Sequence, residues 1–299
     1  MTNRHFAPLA LAAVVSKKSD PVQVLPIQLR PRLAAGGAVG QIMKGFVIVA
    51  ALLGLMFVPL VAAAPSRKVV VLELFTSQGC SSCPPADRIL SAIGKGKGDP
   101  GGVVVPLAFH VDYWNSIGWK DPFSSSQWSN RQRAYAGVWS SSQVYTPQLV
   151  LNGRTHVVGS SEQRIRQEIA RQLAVKSSGS VAIRSVRQVG AELMIALDAS
   201  LDDALRGRTA DVFVVVFENG VTTAVTRGEN SGKKLVNDHI VRSMSKALTL
   251  AGGEAAANRS LTVPVAGGWN SKRLGVAVFI QDTQSLAIHG ADVLTMEAR

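Results

Sequence analysis

Only two cysteines occur among the 299 residues, Cys80 and Cys83. A structural disulfide framework links distant segments and closes long loops. Two cysteines three residues apart cannot build one, because so small a loop constrains almost nothing in the unfolded chain. Acidic residues are also scarce, 20 against 32 basic, for a formal net charge of +12. Six of the basic residues (Arg4, Lys17, Lys18, Arg30, Arg32, Lys44) and one acid, Asp20, precede residue 65. The remainder is therefore moderately basic, and its charges are scattered. No Lys/Arg block tracks a phosphate backbone, so the surface reads as solvated and a nucleic-acid partner is not expected. No Gly-rich phosphate loop, Ser/His/Asp order or zinc-type ligand spacing stands out.

Hydrophobic residues make up 46% of the chain, enough for a sizeable core in one or two domains. One apolar run stands apart. It follows Met43 and Lys44 and ends in Ala62-Ala63-Ala64. A short positive start, an apolar stretch and small residues at its end form the pattern of a secretory signal peptide, here residues 43–64. Pro59 and the small residues favour cleavage, which leaves no stable membrane span; the alternative is a retained anchor. Residues 1–42 fit poorly in front of such a signal. Either Met43 is the true initiator, or residues 1–42 form a real leader without packed structure. The expected location is periplasmic or secreted.

After the signal, Val69–Thr76 reads as a buried strand, continuous and rich in β-branched residues. Ser77-Gln78-Gly79 is a turn, and Cys80-Ser81-Ser82-Cys83 follows it. Pro84-Pro85 then suits the first turn of a helix, where a missing N–H is no loss. Ile89, Leu90 and Ile93 would share one face of that helix. Val103–Val111 is a second buried strand. Residues 112–145 hold four of the five tryptophans and all three tyrosines; they read as an inserted loop and helix, with Trp128, Arg131, Tyr135 and Val138 on one face. Pro147 enters a short strand that turns at Asn152-Gly153 into a hairpin. Ser160 with Gln163 resembles a capping box, opening a helix that carries Ile165, Ile169 and Leu173.

Near Ser177-Ser178-Gly179 the composition shifts and strands dominate: 181–189, 192–199, 211–218, 221–226, 261–265, 274–281 and 293–297. Many short strands with turn signals suggest an antiparallel sandwich over residues 178–299. The expected fold class is thus α/β over residues 69–175, followed by a β-rich, sandwich-like C-terminal region.

The chemistry centres on the cysteine pair. Disulfide exchange proceeds through a thiolate, and a helix N-terminus favours an anion. Cys80 is the expected nucleophile. Cys83, one turn on, is the expected resolving thiol. His110 and Asp112, at the end of the second strand, either satisfy a strand end or help two thiols bind Cu(I). Trp114, Trp119, Trp128 and Tyr135 either pack or line an apolar substrate groove. Asp87 fits an acidic first turn, and Glu229, Asn230, Lys233 and His239 read as a solvated polar loop.

Residues 69–175 resemble the thioredoxin superfamily. The segment Leu74-Phe-Thr-Ser-Gln-Gly-Cys-Ser-Ser-Cys-Pro-Pro-Ala-Asp87 is similar to the signature of a family of bacterial secreted proteins with a thioredoxin-like fold and no established activity. Thr226-Arg-Gly-Glu-Asn-Ser-Gly232 resembles that family's C-terminal half. The resemblance implies a cis-proline opposite the cysteines, matched by Pro147, with Thr146 meeting the substrate. Trp114 and Tyr145 join Thr146 as candidate substrate-binding residues. The expectation is an exported thiol–disulfide oxidoreductase acting on cysteine-containing exported proteins or a redox partner, with no cofactor beyond the Cys80–Cys83 pair. The alternatives are a periplasmic copper carrier and a binding protein whose disulfide is structural. Ser81-Ser82 replaces the Gly-Pro of thioredoxin itself, so the direction of electron flow stays open.

Overall fold

The computed structural model describes residues 68–96, 101–254 and 257–296. The expected leader and signal segment lie outside them. Strand β1 (Val69–Thr76) is buried at all eight positions, so it needs partners on both edges. One edge takes β2 (Val103–His110) in parallel, in register from Val69↔Val103 to Thr76↔His110. The other takes β3 (Gln148–Leu151) antiparallel. Helix α1 (Cys83–Gly94) connects β1 to β2 and carries Pro84 and Pro85 in its first turn. Helix α2 (Ser126–Val138) starts at Ser125, whose Oγ accepts the Gln127 N–H at 3.2 Å. β3 turns into β4 (Thr155–Val158) through Asn152 and Gly153, at φ 49° and 62°. Helix α3 (Glu162–Ala174) begins after Ser161 without a side-chain cap bond, so the expected Ser160/Gln163 capping box does not form.

The C-terminal half adds β5 (Gly179–Val189), β6 (Glu192–Leu201), β7 (Thr209–Glu218), β8 (Val221–Ala224) and β9 (Lys234–Asn237). It continues with β10 (Ile240–Ala251), β11 (Ala257–Pro264), β12 (Leu274–Asp282) and β13 (Ile288–Thr295). These strands do not form a separate sandwich. β10 lies beside β2, where the Ala108 N–H donates to the His239 carbonyl at 2.8 Å. One mixed eight-stranded sheet results, ordered β13-β12-β7-β10-β2-β1-β3-β4.

This corrects the expected fold class. Among the described residues strand outweighs helix, with thirteen strands and three α-helices. It is not a thioredoxin-like α/β fold followed by a sandwich. The physical reason is the free edge of β2, which β10 meets at Ile240↔Ala108, some 130 positions later, where the Ala108 N–H is satisfied. α1 and α3 cover one face of the β1–β3 region through Leu72, Leu74, Leu90, Ile165 and Ile169. A three-stranded sheet, β11-β6-β5, covers β7, β10 and β12 on that same side. On the opposite face one core runs through both halves, joining Phe75, Phe109, Trp128 and Tyr135 to Phe217 and Phe279. At its centre Arg131 is bound to the buried Glu73 (Nε–Oε2 2.5 Å; Nη2–Oε1 3.0 Å) and donates to Gln281 Oε1 at 3.2 Å. Among the described residues no helix is long and apolar enough to cross a membrane.

Candidate functional site

Cys80 and Cys83 are joined by a disulfide. It sits between the end of β1 and the start of α1, because the buried strand delivers the chain to a turn and the prolines open the helix. Cys83 is the first helical residue, so Cys80 precedes the helix by a full turn of backbone. The Cys83 N–H donates to the Cys80 carbonyl at 3.2 Å. Ser81 and Ser82 are exposed, whereas both cysteines are 0% exposed. The expected nucleophile, Cys80, is therefore enclosed in this disulfide state.

The cover over Cys80 comes from distant segments. The Thr146–Pro147 peptide bond is cis, and Thr146 Oγ1 lies 3.3 Å from Cys80 Sγ. Trp114 Nε1 donates to the same Thr146 hydroxyl at 2.8 Å. Trp114 also packs against Gly79, where a Cβ would lie 3.2 Å from the Trp114 Cβ. Thr146 and Trp114 thus gather at the disulfide with Pro147 adjacent in the chain. Tyr145 engages the β3–β4 hairpin instead, its hydroxyl 2.9 Å from His156 Nδ1.

Residues from the C-terminal half complete the site. Asn230 is buried, and its Nδ2 donates to the carbonyls of Gln78 and Cys80, each at 2.9 Å. Glu229 Oε2 accepts the Ser81 N–H at 2.9 Å. Lys233 Nζ donates to Asn230 Oδ1 at 2.8 Å. This group, read as a solvated loop from sequence, is a clamp on the cysteine turn. Of the four residues, His239 stands apart from it, against Phe217 and Gly94. The buried Gln78 is the hub: its N–H donates to Asp121 Oδ2 at 2.7 Å, its Nε2 to Asn237 Oδ1 at 3.0 Å, and its Oε1 accepts from Trp119 Nε1 at 3.3 Å. Its position two residues before Cys80 is the one sequence signal that pointed to it.

Beneath the turn lie three buried ionisable groups. Asp87, one helical turn after Cys83, accepts the Thr76 hydroxyl at 2.8 Å. Burial raises its pKa from 3.8 to about 6, against the opposing attraction of His110. His110 Nδ1 is 2.7 Å from Asp121 Oδ2. Burial disfavours charge on both, but their mutual attraction prevails: His110 is raised, and Asp121 is lowered with help from the Gln78 and Phe123 N–H groups. Asp112, by contrast, accepts the Ser129 hydroxyl at 2.5 Å. Among the described residues no cluster of three or more His, Cys, Asp or Glu side chains is placed to hold a metal ion.

The arrangement is a buried disulfide at a strand–helix junction, surrounded by polar groups. Similar folds exist among solved structures. A crystal structure of a protein from Agrobacterium tumefaciens is 32% identical, with a TM-score of 0.60, and covers 79% of this chain and 98% of that one. HBP35 of Porphyromonas gingivalis shares the fold at 14% identity and a TM-score of 0.56, covering 78% of this chain and 77% of its own. No curated protein matches. The match that identifies the chain spans residues 71–281, taking in the cysteine turn and the Glu229–Asn230 clamp together, and by it the protein belongs to the family described as "Protein of unknown function (DUF1223)".

Proposed function

We propose that the protein is an exported thiol–disulfide oxidoreductase that exchanges disulfides with cysteines of other exported proteins. The observation that carries this reading is the position of the disulfide. It closes a loop with a sequence separation of 3, where loop-closure entropy is at its smallest, about 2 kcal/mol, and it occupies a turn wrapped by polar groups from three distant segments. Such a bond adds less stability than one that closes a long loop, which favours a chemical role.

In the reducing direction, the Cys80 thiolate attacks one sulfur of a partner disulfide. The partner's other sulfur leaves as a thiolate, and a mixed disulfide forms. Deprotonated Cys83 then attacks Cys80 Sγ, releasing the second partner thiolate and restoring the Cys80–Cys83 bond. The partner gains two electrons and the pair loses two. The oxidising direction is the reverse. Either way Cys80 must first be uncovered, Thr146 parting from it, because its sulfur is enclosed in the disulfide state. In this reading Thr146, whose hydroxyl lies 3.3 Å from Cys80 Sγ, meets the incoming chain.

Reduction of insulin disulfides with dithiothreitol as donor tests the reading. Wild-type protein accelerates the reaction, Cys80→Ser does not, and Cys83→Ser accumulates a mixed disulfide visible by mass spectrometry. Equal rates for wild type and Cys80→Ser would overturn it.

A further inference from the structure

The C-terminal half reaches the cysteine turn through residues 225–233, between β8 and β9. Gly228 adopts φ 72°, and a Cβ there would lie 3.1 Å from Trp119 Cβ and 3.3 Å from the Ile117 carbonyl. Gly118 faces it at φ 96°, where a Cβ would lie 3.4 Å from Gly228 Cα. Two glycines therefore let two loops meet backbone to backbone, and the chain leaving Gly228 sets Glu229 and Asn230 over the turn. Asn230 is locked from both sides, by the Gln78 and Cys80 carbonyls and by Lys233. That fixes its neighbour Glu229, whose carboxylate takes the Ser81 N–H. Ser81 directly follows Cys80. Its N–H is among the backbone donors that precede α1, in the region where a Cys80 thiolate would find stabilisation.

Resting on the redox reading above, we propose that Glu229 is a positioning residue that sets the poise of the pair: its carboxylate occupies the Ser81 N–H and places a negative charge one residue from Cys80, favouring the disulfide over the reduced form. Reduction by glutathione breaks the Cys80–Cys83 bond and joins two glutathione molecules in a disulfide. It leaves a thiolate on Cys80, a thiol on Cys83 and one released proton. A carboxylate beside the turn opposes that new anion. Lys233 is the nearby cation held to the clamp, and its bond to Asn230 leaves the Glu229 charge in place. The β-rich half thereby acts on the poise of the pair through Glu229, which Asn230 holds in place.

The test is the equilibrium constant of the pair against glutathione and dithiothreitol couples at pH 7, read by alkylation and mass shift for wild type, Glu229→Gln and Glu229→Asp. The dithiothreitol couple yields a constant even where glutathione does not reduce the bond. Glu229→Gln is expected to move the constant about threefold toward the dithiol at low salt, the size of one charge acting across several ångströms of water. The shift should vanish in 1 M salt, where the Debye length is about 3 Å. Glu229→Asp should stay near wild type. A Glu229→Gln constant equal to wild type, or a shift that salt leaves unchanged, overturns the proposal. Failure of the enzymatic reading looks different: insulin reduction that survives Cys80→Ser, whatever these constants are.

Discussion

Asp87→Asn probes the charge buried beneath the disulfide. Asp87 is 9% exposed, and burial lifts its pKa from 3.8 to about 6. The folded protein therefore holds this proton more tightly than the unfolded chain. Between those two values the folded state binds more protons, so stability falls as pH rises and the cost is complete above about pH 6. At about 1.4 kcal/mol per tenfold, the wild type forfeits about 3 kcal/mol at pH 7.5 by keeping the carboxylate. Asparagine has the same shape without the charge, and its Oδ1 still accepts the Thr76 hydroxyl. The variant is expected to be more stable by about 2–3 kcal/mol at pH 7.5 and no more stable than wild type at pH 3.5, where both are neutral. Urea unfolding of the oxidised proteins from pH 3.5 to 8, with midpoints compared at constant slope, gives the difference directly. A constant offset across that range, or a loss of stability at pH 7.5, would refute the reasoning.

Three further outcomes follow from the same contacts. Arg131→Met leaves the fully buried Glu73 carboxyl without its cation; a loss of about 3–5 kcal/mol is expected in urea unfolding, and a loss under 1 would deny the pair its structural role. Asn230→Ala removes two hydrogen bonds to the carbonyls around Cys80. Its disulfide should be reduced faster by dithiothreitol in quench-alkylation, and an unchanged rate would mean that the clamp does not restrain the turn. Gly153→Ala places a methyl 2.0 Å from the Leu286 carbonyl oxygen at φ 62°, for an expected loss of about 2 kcal/mol or more on thermal or urea unfolding.

What could be read in the sequence was local. The order of buried strand, cysteine turn and proline-opened helix follows from neighbouring residues, and so does the Asn152-Gly153 hairpin. β10 escaped because it carries register shifts at Val241/Ser243 and Lys246/Leu248. Each shift moves the inward-facing positions by one and breaks the period-2 signal. Without β10 nothing joins the halves, so the C-terminal strands read as a separate sandwich. Asn230 looked solvated for a similar reason: its partners Gln78 and Cys80 lie about 150 positions earlier, and no local pattern reports such a contact. The Thr146 hydroxyl that meets Cys80 Sγ, itself held by Trp114, comes from 66 positions later and is equally invisible to local pattern. Arg131 fell on the expected helix face, but its buried partner Glu73 sits within an otherwise apolar strand, and only the fold brings the two together.

The central claim is that the Cys80–Cys83 bond is exchanged in function, and its reduction potential tests this most directly. A pair built for exchange should equilibrate with dithiol couples between about −120 and −270 mV in the native state. A value below about −300 mV, with the bond resisting excess dithiothreitol until the protein unfolds, would mark a structural disulfide and contradict the account.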